Sequence, residues 1–374
     1  MHIVEFTGGS LRFADAVPAA APADGFVWIY LDREDFARHL PELQEAAHRL
    51  GGSPLLDVHA KDLANPAHPS GYDATSVYDL VVFRRLASLA EVQLNGNHDP
   101  HTGAAGAPRA PKPQPFERID SRAVGFVVFD RLLISVHPPG CQTAVGFLQR
   151  QADDARLSVD SASARNRVPQ GPDDLVLRML NAMVDSYLDL RRDLSEALEQ
   201  AQVELLKPHP APHTWGALMH ARGRLHGLQD LCEEQQDAMQ EWLDTLRELP
   251  LSTYGPDPLL AQQRHDQLVA RARDVMEHIE RVLRHARRLE QAAETAVQIH
   301  FAAQGQRTND TMRALTAITA VFLPLNLFTG FFGMNFEHLP LIHSVEGMWL
   351  ALLLLVVLAL GIVVLFWRRR YLTR

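Results

Sequence analysis

Near the C-terminal end of this 374-residue chain, an apolar run closes on Gly333, Met334 and Asn335, followed by "FEHLP". A plain membrane anchor has no need of an asparagine there. An amide oxygen can accept hydrogen bonds from the water shell of a cation without stripping that shell. A small, hard divalent cation sheds that water reluctantly. A ring of carboxylates would bind it more tightly and slow its release, whereas conduction needs weak sites. The same segment carries a second pattern. At 100° per residue, Asn309, Met312, Thr316, Thr319, Leu323, Asn326 and Gly330 fall within an arc of about 100°. Lipid does not favour such a stripe. It suits either a helix–helix seam, where Thr, Asn and Gly pack and hydrogen-bond, or a pore wall, where oxygen-bearing positions alternate with apolar constrictions. The stripe alone leaves both open. One helix per chain cannot enclose a channel, so the pore reading requires a symmetric ring of subunits.

The elements that must position these residues follow from the hydrophobic pattern. Ala314 to Phe336 is a run of 23 residues without a charge, and Gly347 to Trp367 is another of 21. Each reaches the roughly 20 residues that cross a bilayer as helix. Ten residues, Glu337 to Glu346, join them into a tight hairpin. The connecting loop has no Lys or Arg, while "RRRYLTR" follows the second span. The positive-inside rule puts that tail, and the large N-terminal part, in the cytoplasm and the loop outside. "MHIVEFTGGS" has no basic-then-apolar pattern, so no signal peptide is expected. The predicted division is 1–170 as a cytoplasmic α/β domain, 171–312 as a helical stalk region and 313–367 as a transmembrane hairpin. Within the hairpin, 313–335 is the pore helix, 336–346 the external loop and 347–367 the second helix. A basic tail occupies 368–374.

Within the first region, "FVWIYLD" reads as a strand and "DFARHLPELQEAAHRLGG" as an amphipathic helix with a glycine stop. "VYDLVVFRRL" and "AEVQLNG" read as paired strands, and "AVGFVVFDRLLISVHPP" as one or two more. "GNHDPHTGAAGAPRAPKPQPF" is a Gly/Pro/Ala-rich excursion. From "PDDLVLRML" onward the pattern is helical. Pro172 suits a first helical position, with Asp173 and Asp174 at the positive helix start. A second helix is expected from about Trp215 to Leu249. A third begins near Asp257 with no stop before Pro324. Continued into the first span, it covers about 75 residues and roughly 110 Å, a length that calls for a bundle of copies.

"NDTMRALTAITAVFLPLNLFTGFFGMNFEHLP", the two-span ending and the basic tail together resemble the CorA family of magnesium channels, whose hallmark is Gly-Met-Asn at the end of the first span. The resemblance covers roughly the last 120 residues. It implies a funnel-shaped homopentamer with the first span lining the pore and the second facing lipid. It places Asn335 at the entrance, Asn309 as a polar ring at the cytoplasmic end, Met312, Leu315 and Leu323 as apolar constrictions, and Thr316 and Asn326 as polar pore positions. Asp274 falls at the place of a family aspartate that helps form a regulatory Mg²⁺ site between cytoplasmic domains. Mg²⁺ is then both the transported ion and a gating ligand, with Co²⁺ and Ni²⁺ also carried, in a bacterial inner membrane. By linkage, Mg²⁺ bridging adjacent subunits favours the closed state.

In the loop, Glu337 and Glu346 would concentrate cations at the mouth. His338 and His343 could bind Zn²⁺, Co²⁺ or Ni²⁺, although solvated loop residues explain them as well. A formal net charge of -9 argues against nucleic acid as a partner and fits a protein that handles cations. Two distant cysteines, Cys141 and Cys232, give neither a disulfide nor a zinc-finger spacing. No phosphate-binding signature is present to power a pump, and no organic cofactor is implied. A zinc transporter of the same superfamily, possibly proton-coupled, is the nearest alternative. A membrane-anchored sensor or enzyme is a further one. It would need a site in residues 1–170, where Asp57, His59 and Asp62 lack a second cluster to complete them. The chain is read as a channel and not an enzyme.

Overall fold

The computed structural model describes residues 1–7, 10–87, 91, 115–141, 146–149, 168–205, 207, 212–255, 257–334 and 345–368. Seven strands are described: β1 (His2–Thr7), β2 (Ser10–Ala14), β3 (Gly25–Asp32), β4 (Gly71–Ala74), β5 (Asp79–Leu86), β6 (Ser121–Val128) and β7 (Leu132–His137). They form one sheet in the order β2-β1-β3-β7-β6-β5-β4. β3 and β7 run parallel, with Ile29 opposite Ile134. The other neighbours are antiparallel.

Helices cover both faces of this sheet. α1 (Arg33–Gly51) and α2 (Asp57–Ala64) lie on one side, where Val27, Ile29, Leu31, Ile134 and Val136 pack with Phe36, Leu43, Ala46 and Leu63. α3 (Pro172–Leu205) and α4 (Pro212–Glu248) meet β4 and β5. A strand covered on both faces reads as an unbroken apolar run rather than an alternating one, and every residue of β7 is buried. Two glycines matter here. Gly52 closes α1 at φ 85°, a left-handed conformation that side-chained residues rarely adopt. A Cβ on Gly125 would stand 2.3 Å from Leu63 Cδ2, so the bare backbone of β6 is what lets α2 lie against the sheet.

α5 (Pro258–Phe332) is a single helix of 75 residues with Pro324 inside it, the length expected from the sequence. α6 (Val345–Arg368) adds 24 residues, about 36 Å at 1.5 Å each. The chain divides into two compact units, Met1–Glu294 and Thr295–Arg374, and α5 runs from one into the other. In the first unit, Val275, Ile279, Val282, Ala286, Leu289 and Ala293 are buried at helical spacing. Polar contacts add register: Gln202 Nε2 donates to the Ala292 carbonyl at 3.1 Å, and Arg287 pairs with Glu233 at 2.6 Å.

The expected mixed sheet domain followed by a long helix is what the structure shows. One strand pairing is not. β5 has β4 along one edge and β6 along the other, so no edge remains for "AEVQLNG". Glu91 is in no strand. It is buried and pairs with Arg85 Nη2 at 2.5 Å. The remainder of 90–96 and the Gly/Pro-rich excursion up to 114 lie outside the described residues. β1, β2, β4 and α2 were not expected. They are short, and tertiary pairing rather than a long periodic pattern defines them.

Candidate ion-conduction site

The apolar part of α5 is helical through Phe332, and its threonine hydroxyls turn inward on their own backbone. The hydroxyls of Thr316 and Thr319 donate to the carbonyls of Met312 and Leu315, each at 2.8 Å. Thr329 does the same to Asn326 at 3.2 Å. Such back-bonding lets threonine sit in an apolar helix without an orphaned proton. The last helical bond runs from the Gly333 N–H to the Thr329 carbonyl at 2.9 Å, and the Met334 N–H reaches Phe331 at 3.4 Å. A Cβ on Gly333 would lie 3.1 Å from the Thr329 oxygen, so glycine leaves room for this tight ending.

All seven stripe residues, Asn309, Met312, Thr316, Thr319, Leu323, Asn326 and Gly330, are exposed, as is Leu315. Met312 is 58% and Leu323 65% exposed. The covered side of the helix lies opposite: Ala317 is buried, and Val321, Pro324, Phe328 and Phe332 are partly buried. At 100° per residue the centres of the two sets are roughly 150° apart. α6 is likewise covered along one stripe, at Ala351, Leu355, Leu358, Ala359 and Ile362. By length and composition α5 holds a stretch able to cross a membrane, and that window is only 6% buried. The described apolar stretch of α6 is Met348–Ile362. Asn335, Glu337, His338 and His343 lie outside the described residues. Glu346 is exposed in the first turn of α6, where a negative charge suits the helix start.

In the first unit, Asp274 is 57% exposed. His278, one turn on, places Nε2 at 3.7 Å from Asp274 and Nδ1 at 3.1 Å from Asp185 on α3. Imidazole thus sits between two carboxylates from two helices. Asp185 is 93 positions from His278 in sequence, and no local pattern could have indicated it. Among the described residues of the single chain, no group of three or more His, Cys, Asp and Glu is arranged to hold a metal. The oxygen donors of Asp274 and Asp185 suit a hard cation, but one chain does not supply enough of them. His59 is occupied structurally: Nδ1 lies 2.8 Å from the Tyr78 hydroxyl and Nε2 3.0 Å from Asp73.

The two aspartates at the start of α3 behave differently from one another. Asp174 accepts from the Gln170 N–H at 3.1 Å and pairs with Arg178 at 3.0 Å and Arg271 at 2.6 Å. It ties the start of α3 to α5. Asp173 has carboxylates around it instead. Partial burial, then the charges of Asp79, Asp130 and Asp174, push its carboxyl up to about 7. Asp79, at the start of β5, is raised to about 6, chiefly by burial and further by Asp130, while Tyr72 pulls the other way. From sequence alone both α3 aspartates are expected only to complement the helix dipole.

Comparison with known proteins places this geometry in context. The family described as CorA-like Mg²⁺ transporter protein matches residues 100–370. The cobalt/magnesium transport protein CorA of Thermotoga maritima is 26% identical over 200 residues, 54% of this chain and 53% of that protein. The chain therefore matches about half the length of that relative. The cobalt/magnesium transport protein CorA of Methanocaldococcus jannaschii is 22% identical over 252 residues, 67% of this chain and 72% of that one. The complete structure of the CorA magnesium transporter from M. jannaschii has the same fold. It gives a TM-score of 0.72 over 98% of this chain and 97% of that one, at 15% identity.

Proposed function

The chain belongs to the CorA-like Mg²⁺ transporter family, and from that premise we propose that it is a homo-oligomeric channel for divalent cations, with Mg²⁺ as its main cargo. The observation that carries this reading is the polar stripe of α5, exposed on the side opposite to the one the chain itself covers. A lipid-facing helix gains nothing from Asn309, Thr316 and Asn326 on its free face, whereas a ring of such helices turns them into a hydrated path. Met312, Leu315 and Leu323 form the apolar constrictions of that path, Gly330 its narrow upper wall, and Gly333, Met334 and Asn335 its entrance. Five copies close the ring, as the family resemblance implies. The sheet-bearing unit and both termini lie in the cytoplasm of a bacterial inner membrane.

Permeation is passive. A membrane potential of 100 mV, negative inside, contributes about 4.6 kcal/mol to moving a divalent cation inward. Asp274 contributes to a regulatory Mg²⁺ site completed by a neighbouring subunit. Mg²⁺ there stabilises the closed state in proportion to its preference for that state.

The test is Mg²⁺ influx into liposomes holding the pure protein, followed with an internal dye, beside Asn335→Ala and with Zn²⁺ and Co²⁺ in competition. Rapid influx that is lost in Asn335→Ala is the expected result. Zn²⁺ flux dependent on a pH gradient, without Mg²⁺ flux, moves the protein to a zinc-transporting role. Absence of flux for every ion returns the hairpin to the part of an anchor.

A further inference from the structure

A site independent of the ion path lies on the seam between α3 and α5, inside the unit Met1–Glu294. Neighbouring arginines of the helical region are matched to acids: Arg192 to Glu196, Arg222 to Glu294, Arg271 to Asp174, Arg284 to Glu280 and Arg287 to Glu233. Arg191 on α3 and Arg281 and Arg288 on α5 are not. All three are exposed, and none pairs with a carboxylate among the described residues. Arg281 and Arg288 are seven positions apart, two turns along one face of α5. A cationic patch without its own acids is unexpected in a chain whose formal net charge is -9.

The patch borders two buried polar side chains. His285 is 8% exposed. The Ser195 hydroxyl donates to the Arg191 carbonyl at 3.1 Å, so its oxygen accepts from the imidazole Nε2–H, 3.5 Å away. That leaves the Nδ1 lone pair facing Arg288 Nη2 at 3.4 Å. The imidazole is neutral in this arrangement, and burial, then Arg191 and Arg288, push its pKa down. The arginines therefore carry the positive charge of the seam. Tyr187 packs edge-on to His285, with 6.1 Å between ring centres. It is 2% exposed, and its enclosed hydroxyl has no hydrogen-bond partner. Tyr187, Leu188 and Arg191 of α3, with His278 and Arg281 of α5, wall a cavity of about 20 Å³. That volume takes about one water-sized group, enough for one oxygen of a tetrahedral oxyanion whose remainder stays outside among the guanidinium groups. Asp185 also lines the cavity, and its carboxylate lies 3.1 Å from His278 Nδ1.

We propose that this seam binds a phosphate-bearing anion, with one phosphate oxygen entering the cavity beside Tyr187 and the others held by Arg191 from α3 and by Arg281 and Arg288 from α5. The planar guanidinium fork matches phosphate oxygens two at a time, and the Tyr187 hydroxyl supplies a donor that is otherwise unused. Free phosphate and the terminal phosphate of a nucleotide share this chemistry. Either one clamps α3 to α5.

The experiment titrates the full-length protein in detergent, free of divalent cations, with inorganic phosphate and separately with ATP. Calorimetry reads binding and thermal unfolding reads stability, with sodium chloride at equal ionic strength as the reference. Saturable binding is expected, with a rise in Tm of about 5–10 °C at a hundredfold excess over Kd. Arg191→Gln, Arg281→Gln and Arg288→Gln should each weaken binding about tenfold or more. The corresponding lysine variants, which keep the charge but lose the fork, should weaken it severalfold, and they cover any glutamine variant that fails to fold. Tyr187→Phe keeps the ring and should also weaken binding severalfold. Affinity for ATP more than about tenfold above that for phosphate identifies a nucleotide as the ligand, and equal affinities identify a lone phosphate group. Binding that is absent, or that survives all three glutamine variants, overturns the site. A Tm rise that chloride reproduces overturns it as well, because screening alone then accounts for the effect. So does a change of oligomer size in the glutamine variants, because the arginines then meet carboxylates of another copy.

Discussion

Replacing Asp173 by asparagine should make the protein more stable at pH 8 and leave it nearly unchanged at pH 4. Asp173 is partly buried, with Asp79, Asp130 and Asp174 acting on it, which raises its carboxyl from an ordinary 3.8 to about 7. A carboxyl whose pKa is raised on folding holds its proton more tightly in the folded state. It supports folding fully below about pH 4, loses that support as pH rises through the interval from 3.8 to about 7, and contributes no further change above it. Each pKa unit corresponds to 1.36 kcal/mol, so the interval represents roughly 4 kcal/mol at most. Shared protonation with Asp79, itself raised to about 6, spreads that amount over the pair. A stabilisation of about 2 kcal/mol for Asp173→Asn at pH 8 is therefore expected. At 2–4 °C per kcal/mol for a domain of this size, that is roughly 4–8 °C in Tm. The assay is thermal unfolding of the full-length protein in detergent, followed by near-ultraviolet circular dichroism at pH 4, 5, 6, 7 and 8. The wild-type and Asp173→Asn curves should converge at pH 4 and separate progressively toward pH 7, with little further change to pH 8. Parallel curves across the range, or an Asp173→Asn protein less stable at pH 8, would refute the burial argument.

Other consequences are equally open to measurement. Gly125→Val should lower stability by about 1–3 kcal/mol, because its Cβ would begin 2.3 Å from Leu63 Cδ2 and push α2 off the sheet; denaturant unfolding reads this, and Gly125→Ala should show a smaller loss. Asp274→Asn should reduce the rise in Tm that Mg²⁺ gives the assembled protein, since a ligand that binds only the folded assembly stabilises it by mass action. An unchanged Mg²⁺ response would remove Asp274 from the regulatory site.

Much of this protein is legible in its sequence, and the reason is the solvent. Long uncharged helical runs are what a bilayer would require, so Ala314 to Phe336 and Gly347 to Trp367 stand out by composition. A 75-residue helix follows from the lack of any stop between Pro258 and Phe332, because Gly305 and Pro324 are each absorbed by a helix this long. The polar stripe is likewise a matter of residue spacing, and so is the Gly333-Met334-Asn335 ending. The sheet is a different case. Strands β1, β2 and β4 have no strong periodicity of their own and exist because neighbours accept their hydrogen bonds. The order that sets β4 and β6 on the two edges of β5 cannot be read along the chain. Only the fold brings Asp185 to His278, or surrounds Asp173 with acids while giving Asp174 two arginines. Neighbouring aspartates at one helix start look alike in sequence. Their chemistry differs because charge interactions depend on distance and exclusion from water, and tertiary packing decides both.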